Sequence, residues 1–129
     1  MVMKNLTAAI IQARYNSTRF PGKILNKINN FFLLEILIKR LKKSKKIDQI
    51  IDITTKNLND KKIIEICKRL RINYFIGSEK NVLKRYFKAA SFYKVSNIVR
   101  VTSDCPFVDG YLIDELITKF KKNKCDYAS

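Results

Sequence analysis

The chain has 129 residues, 47% of them hydrophobic, with 2 prolines, 3 glycines and a formal net charge of +16. That size and composition suit one folded domain over residues 1–129 and exclude a disordered or collagen-like chain. Histidine is absent, which removes Ser-His-Asp and Cys-His nucleophile systems and any imidazole acid–base pair.

Leu6 to Gln12 is a short continuous apolar run, which predicts a strand buried on both faces. A polar loop follows. Leu33, Leu34, Ile36, Leu37, Ile38 and Leu41 then recur at helical spacing, with Lys39, Arg40, Lys42 and Lys43 on the wet side. Gln49 to Thr54 reads as a second strand. Asn59 is the expected cap of the next helix, with Asp60 in its first turn at the positive end of the dipole. Ile63, Ile64, Ile66, Cys67 and Leu70 mark that helix, with Cys67 in the core. Tyr74 to Ile76 is a third strand ending at Gly77. Val82, Leu83, Tyr86, Phe87, Ala90 and Tyr93 form another amphipathic helix, and Asn97 to Thr102 a fourth strand. Asp109, read as an N-cap, or Gly110 begins a helix through Leu112, Ile113, Leu116, Ile117 and Phe120. Asp126 to Ser129 resembles the opening of a fifth strand. Strands alternating with helices imply right-handed βαβ units, hence a mainly parallel sheet with helices on both faces.

No apolar run approaches the ~20 residues that cross a bilayer. The start, Met1-Val-Met-Lys-Asn, lacks the apolar core and small-residue cleavage site of a secretion signal. Cys67, Cys105 and Cys125 have no CxxC spacing, so the expectation is reduced thiols in a cytoplasmic protein that contacts no membrane. The 27 basic residues comprise 20 Lys and 7 Arg, with the lysines spread along several helices. This is either a general surface bias or a groove for nucleic acid; in both cases the field attracts phosphorylated ligands.

In open α/β sheets ligands bind beyond the carboxyl ends of the strands. The first such exit reads Gln12-Ala-Arg-Tyr-Asn-Ser-Thr-Arg-Phe-Pro-Gly-Lys23. It offers Arg14, Arg19 and Lys23, the hydroxyls of Ser17 and Thr18, and a Pro21-Gly22 turn. A triphosphate needs several cations and donors converging on its oxygens, and Arg supplies forked donors where Lys supplies a movable charge. Neither the GxxxxGKS/T nor the GxGxxG spacing is present. The fourth strand exits through Arg100-Val-Thr-Ser-Asp104-Cys-Pro-Phe-Val-Asp109, where Asp104 can hold Mg²⁺ against phosphate oxygens. At the third exit, Gly77-Ser-Glu-Lys-Asn81, Ser78 either caps the following helix or contacts base or ribose.

Ile11 to Lys23 closely resembles the opening motif of the cytidylyltransferase family that includes CMP-KDO and CMP-sialic acid synthetases, and most of all its spore coat polysaccharide biosynthesis protein F branch. Gly77 to Tyr86 and Asp104 to Asp109 match that branch too, in the same order. The resemblance implies a Rossmann-like nucleotide-diphospho-sugar transferase fold and transfer of CMP from CTP to a sugar oxygen, with release of pyrophosphate, in polysaccharide or glycan synthesis. It implies a nucleotide site made of Gln12, Ala13, Arg14, Ser17, Arg19, Lys23, Ser78, Asn81 and Arg85. Arg14, Lys23 and Asp104 would be the catalytic set, and Asp104 the Mg²⁺ ligand. Ser103 differs from the glycine usual before that acid. Family members are about twice this length and homodimeric, so the chain matches their N-terminal half. A basic nucleic-acid-binding domain and an inactive remnant of the enzyme are the alternatives.

Overall fold

The computed structural model describes residues 6–12, 25–56, 60–77, 80–102 and 108–123. Four parallel strands form the sheet: β1 (Thr7–Gln12), β4 (Gln49–Thr55), β5 (Asn73–Gly77) and β6 (Asn97–Thr102), in the order β5-β4-β1-β6. β1 is central because nothing along it needs water. Thr7 to Ile11 are all buried, and the run Ala8-Ala9-Ile10-Ile11 has no exposed atoms on either face. Its backbone pairs Ala8 with Gln49 on one side and with Ile98 on the other.

The side-chain alternation of β1 divides the core in two. Ala9 and Ile11, with Ile50 and Val101, pack against α1 (Leu33–Leu41) and α2 (Lys61–Arg69) through Leu34, Leu37, Ile38, Leu41, Ile63, Ile66 and Cys67. α4 (Gly110–Asn123) joins the same layer through Ile113. On the opposite face Ala8, Ile10, Ile51 and Ile53 meet Tyr86 and Ala89 of α3 (Val82–Phe92). Each fully buried Leu or Ile contributes about 1.5–3 kcal/mol, so the layers are held mainly by these side chains. The parallel sheet with helices on both faces is the architecture that the apolar pattern predicts.

Several local features depart from the sequence expectation. The stretch taken as a plain polar loop contains a hairpin, β2 (Lys27–Ile28) with β3 (Phe31–Phe32). Its turn is Asn29-Asn30, at φ 51° and 71°. Two left-handed residues in a two-residue loop match the twist of a hairpin, and Asn tolerates that region best after Gly. Asp60 does not serve the first turn of α2. It precedes the helix and turns back, its carboxylate accepting the Thr55 N–H at 3.2 Å and the Thr55 hydroxyl. Asn59, the expected cap, and the expected strand at 126–129 lie outside the described residues.

Two seams join the helices. Glu35, 3% exposed, accepts the Phe32 N–H at 3.3 Å and meets Arg69 Nη2 at 3.0 Å, tying α1 to α2. Burial alone would raise its carboxyl pKa. The hydrogen bonds from Arg69 and Phe32, with the charges of Arg69 and Lys39, outweigh that and hold it below the usual value. α4 is clamped to the end of α1 by Asp114, which accepts the Ser44 hydroxyl and the N–H groups of Lys45 (2.9 Å) and Lys46 (3.0 Å). Asp109 caps α4 as expected, accepting the Tyr111 N–H at 2.8 Å. No helix among the described residues is long and apolar enough to cross a membrane.

Candidate nucleotide site

The chain lays β1, β4 and β5 in one direction across the sheet, then α3 carries it back to place β6 on the far side of β1. The strand order therefore reverses between β1 and β6, and in open α/β sheets the region outside the carboxyl ends at such a point is where ligands bind. Gln12 closes β1 there, half-buried, in register with Ile53 and Thr102. Arg14 stands two positions after Gln12 in the chain, and Asp104 two after Thr102. The two candidate motifs thus leave from strands that are neighbours in space though ninety residues apart in sequence.

Of the expected site residues, Gln12, Asn81 and Arg85 are described; Ala13, Arg14, Ser17, Arg19, Lys23, Ser78 and Asp104 lie outside the described residues. Asn81 is the N-cap of α3, its side-chain oxygen accepting the Lys84 N–H at 3.0 Å. The cap of this helix is therefore Asn81, where the sequence had offered Ser78. Arg85, one turn on, is 1% exposed. Its stem lies directly over Gly77: a Cβ there would come within 2.7 Å of Arg85 Cγ and 3.2 Å of Cδ. Gly77, Asn81 and Arg85 are spaced by four, and together they fix the path from β5 into α3.

Sequence reasoning did not single out the neighbouring pair Tyr86 and Arg100. The Arg100 guanidinium carbon stands 5.4 Å from the centre of the Tyr86 ring, a cation–π distance. Tyr86 is 8% exposed. Burial raises its hydroxyl pKa, and the opposing charges of Arg100 and Arg85 do not cancel that. The period-two alternation of β6 was the available signal, since it puts Arg100 on the face that α3 covers. Below the other face, Cys67 is fully buried, and burial together with Asp52 pushes its thiol far up. That excludes Cys67 as a nucleophile; Cys105 and Cys125 lie outside the described residues.

A cleft of about 630 Å³ lies elsewhere, between the end of α1 and the start of α4, lined by Arg40, Lys43, Tyr111, Asp114 and Lys119. α1 ends at the edge where β4 begins, so this cleft is remote from the strand exits. Its central carboxylate, Asp114, is already engaged in the helix seam. No three His, Cys, Asp or Glu side chains gather as a metal site among the described residues.

A family model described as cytidylyltransferase matches residues 8–129. The chain belongs to the cytidylyltransferase family. Protein MJ1063 of Methanocaldococcus jannaschii is 48% identical over 120 residues, covering 93% of this chain and 49% of that protein. The spore coat polysaccharide biosynthesis protein SpsF of Bacillus subtilis is 38% identical over 123 residues, covering 92% and 51%. Among solved structures, a cytidylyltransferase from Leptospira borgpetersenii superposes with a TM-score of 0.88 at 36% identity, covering 92% of this chain and 50% of that one. A CMP:2-keto-3-deoxy-manno-octonic acid synthetase complexed with CTP superposes at 0.76 with 15% identity, covering 93% and 49%, a likeness of fold. The Rossmann-like architecture of these cytidylyltransferases is the one described above. This chain spans about half the length of the relatives it matches.

Proposed function

We propose that the region outside the carboxyl ends of β1 and β6 binds CTP, and that the protein takes part in transferring CMP from it to a sugar oxygen, with release of pyrophosphate. The observation that carries this reading is the pairing of Gln12 with Thr102 at the point where the strand order reverses. The stretches Gln12 to Lys23 and Ser103 to Asp109 continue in sequence from these two neighbouring strand ends. Membership of the cytidylyltransferase family supports the choice of CTP, as does the CTP bound to the structural neighbour. The spore coat polysaccharide relative supports a sugar acceptor.

In this reading Arg14, Ser17, Arg19 and Lys23 hold the triphosphate, and Gln12, Ala13, Ser78 and Asn81 lie along the nucleotide. Arg85 acts from beneath by fixing the β5–α3 path. The sugar oxygen attacks the α-phosphorus in line as the bond to pyrophosphate breaks, and the fixed cations stabilise the charge that develops. No acid–base histidine is required, since positioning and electrostatics carry most of such a reaction. Asp104, two positions beyond the end of β6, has the hard oxygen donor that Mg²⁺ prefers alongside phosphate oxygens. Mg²⁺ bound there would neutralise phosphate charge.

The test is a melting series with CTP and the other common nucleoside triphosphates, with and without Mg²⁺. A ligand at one hundred times its Kd stabilises the folded state by about 2.7 kcal/mol, a rise of several degrees in a domain this size. Arg14→Ala and Asp104→Ala should remove the rise with CTP while leaving the ligand-free melting temperature in place. No response to any triphosphate would sink the reading. Steeply salt-dependent binding to DNA that both variants retain would replace it with a nucleic-acid function.

A further inference from the structure

Arg40 stands among lysines on what the apolar pattern reads as the wet side of α1, yet it is half-buried. Its Nε donates to the Val108 carbonyl at 2.6 Å, across 68 positions of sequence. A charged donor makes a stronger hydrogen bond than a neutral one, and partial burial weakens the competition from water. Val108 is held from its other side as well, since its side chain packs against the core cluster built on α1 and α2.

The residues after Val108 are fixed to the same end of α1. Asp109 caps α4 through the Tyr111 N–H. Gly110 lies so close that a Cβ there would meet Ser44 N at 2.9 Å and Arg40 O at 3.3 Å. Asp114, a turn later, accepts from Ser44, Lys45 and Lys46. Upstream, the backbone of Thr102 closes β6 in register with Gln12. Residues 103–107 therefore run between two fixed points, the end of β6 and the Val108 carbonyl, and Asp104 is among them. A short stretch tied at both ends has fewer paths than one tied at a single end.

We propose that Arg40 is a positioning residue for Asp104. By holding the Val108 carbonyl it ties the far end of the Asp104 stretch to α1, and so sets where that carboxylate stands towards Mg²⁺ and the triphosphate. The inference rests on the nucleotide reading for what Asp104 does, and on the contact of Arg40 with Val108 for how it is held. Arg40 lies near the end of α1, away from the strand exits, so it acts through the main chain and not by touching a ligand. Lys42 supplies a comparison from the same helix end. Its Nζ donates to the Leu70 carbonyl at the end of α2, in a stretch without candidate site residues.

The test compares Arg40→Met with Lys42→Met, each of which keeps an apolar stem and removes the donor. Amide exchange over residues 103–110 should quicken in Arg40→Met and stay unchanged in Lys42→Met, with exchange in β1 and β4 as the reference for an intact fold. That readout needs no ligand. Affinity for CTP in Mg²⁺, measured by calorimetry, should fall roughly tenfold in Arg40→Met, the lower end of what supporting residues of a metal ligand cost. Without Mg²⁺ the variant and the parent should bind alike. In an Asp104→Asn background Arg40→Met should bring no further loss, because it acts only through that carboxylate. Unchanged exchange would overturn the proposal, as would an equal loss of affinity in Lys42→Met or full additivity with Asp104→Asn. Quickened exchange in Arg40→Met, with no triphosphate bound even by the parent chain, would place the failure in the nucleotide reading and remove the role of Asp104 with it.

Discussion

Gly77 and Gly110 each sit where another part of the chain comes too close for a side chain, but what each one meets is different. At Gly77 the neighbour is the stem of Arg85, with Cγ 2.7 Å from where a Cβ would stand. At Gly110 the neighbours are main chain: Ser44 N at 2.9 Å, the Lys43 carbonyl carbon at 3.2 Å and Arg40 O at 3.3 Å. A side chain can change rotamer, whereas a helix end can yield only by moving as a body. The glycine at the candidate site is thus set against something adjustable, and the one at the α1–α4 seam against something fixed.

The largest expected effect is at the seam. Gly110→Ala should cost about 2–3 kcal/mol, the upper part of the range for overpacking, read as a fall in the denaturant midpoint. It must push α4 from the turn where Asp114 holds Ser44, Lys45 and Lys46, and where Arg40 Nε donates to Val108 O at 2.6 Å. Gly77→Ala should cost less, about 1–2 kcal/mol, and the comparison can be broken here by a double-mutant cycle. In an Arg85→Ala background the added methyl meets no stem, so a favourable coupling of about 1 kcal/mol should appear between the two positions. Additive costs would show that Arg85 is not what makes Gly77 necessary. A change in CTP-dependent melting beyond the loss of stability would tie the β5–α3 path to the nucleotide.

The helix caps give a smaller effect. Asn81→Ala and Asp109→Ala should each cost about 1 kcal/mol, because each removes an acceptor from an otherwise unmatched N–H at the start of α3 or α4. The smallest concerns pH. Glu35 and Asp114 are held below their ordinary values of 4.5 and 3.8, so the unfolded chain binds protons before the folded one does. For Asp114 burial opposes the shift, and the hydrogen bonds from Ser44, Lys45 and Lys46 outweigh it. Their contribution is present above those ordinary values and is lost as pH falls through the lowered ones. Asp114→Asn should flatten the acid limb of a stability–pH curve, and a limb unchanged by that substitution would remove Asp114 from the account.

Much of the fold was legible because the signals are local. The strand at Asn97–Thr102 and the helix at Leu33–Leu41 appear where the apolar pattern put them, since burying those side chains is what makes the elements form. The Asn29-Asn30 turn was not singled out within what read as a polar loop, although Asn reaches the left-handed region that such a turn needs. Asp60 was misjudged because its partner, Thr55, is in the preceding strand, and a short polar side chain can turn back as readily as cap forwards. At the candidate site, Gln12, Asn81 and Arg85 came from a resemblance to known sequences. Their structural work, a strand end, a cap and a buried stem over Gly77, could not be read from it.

By itself the sequence determined that this protein is a parallel α/β domain with a basic stretch at one strand exit and an acid at another. Periodicity and capping need only a few neighbouring residues to act. Only the tertiary structure decided that β6 lies beside β1, so that the two strand ends from which those stretches continue are neighbours. Strand order depends on which face each crossing helix covers, and that is settled by packing between residues far apart in the chain.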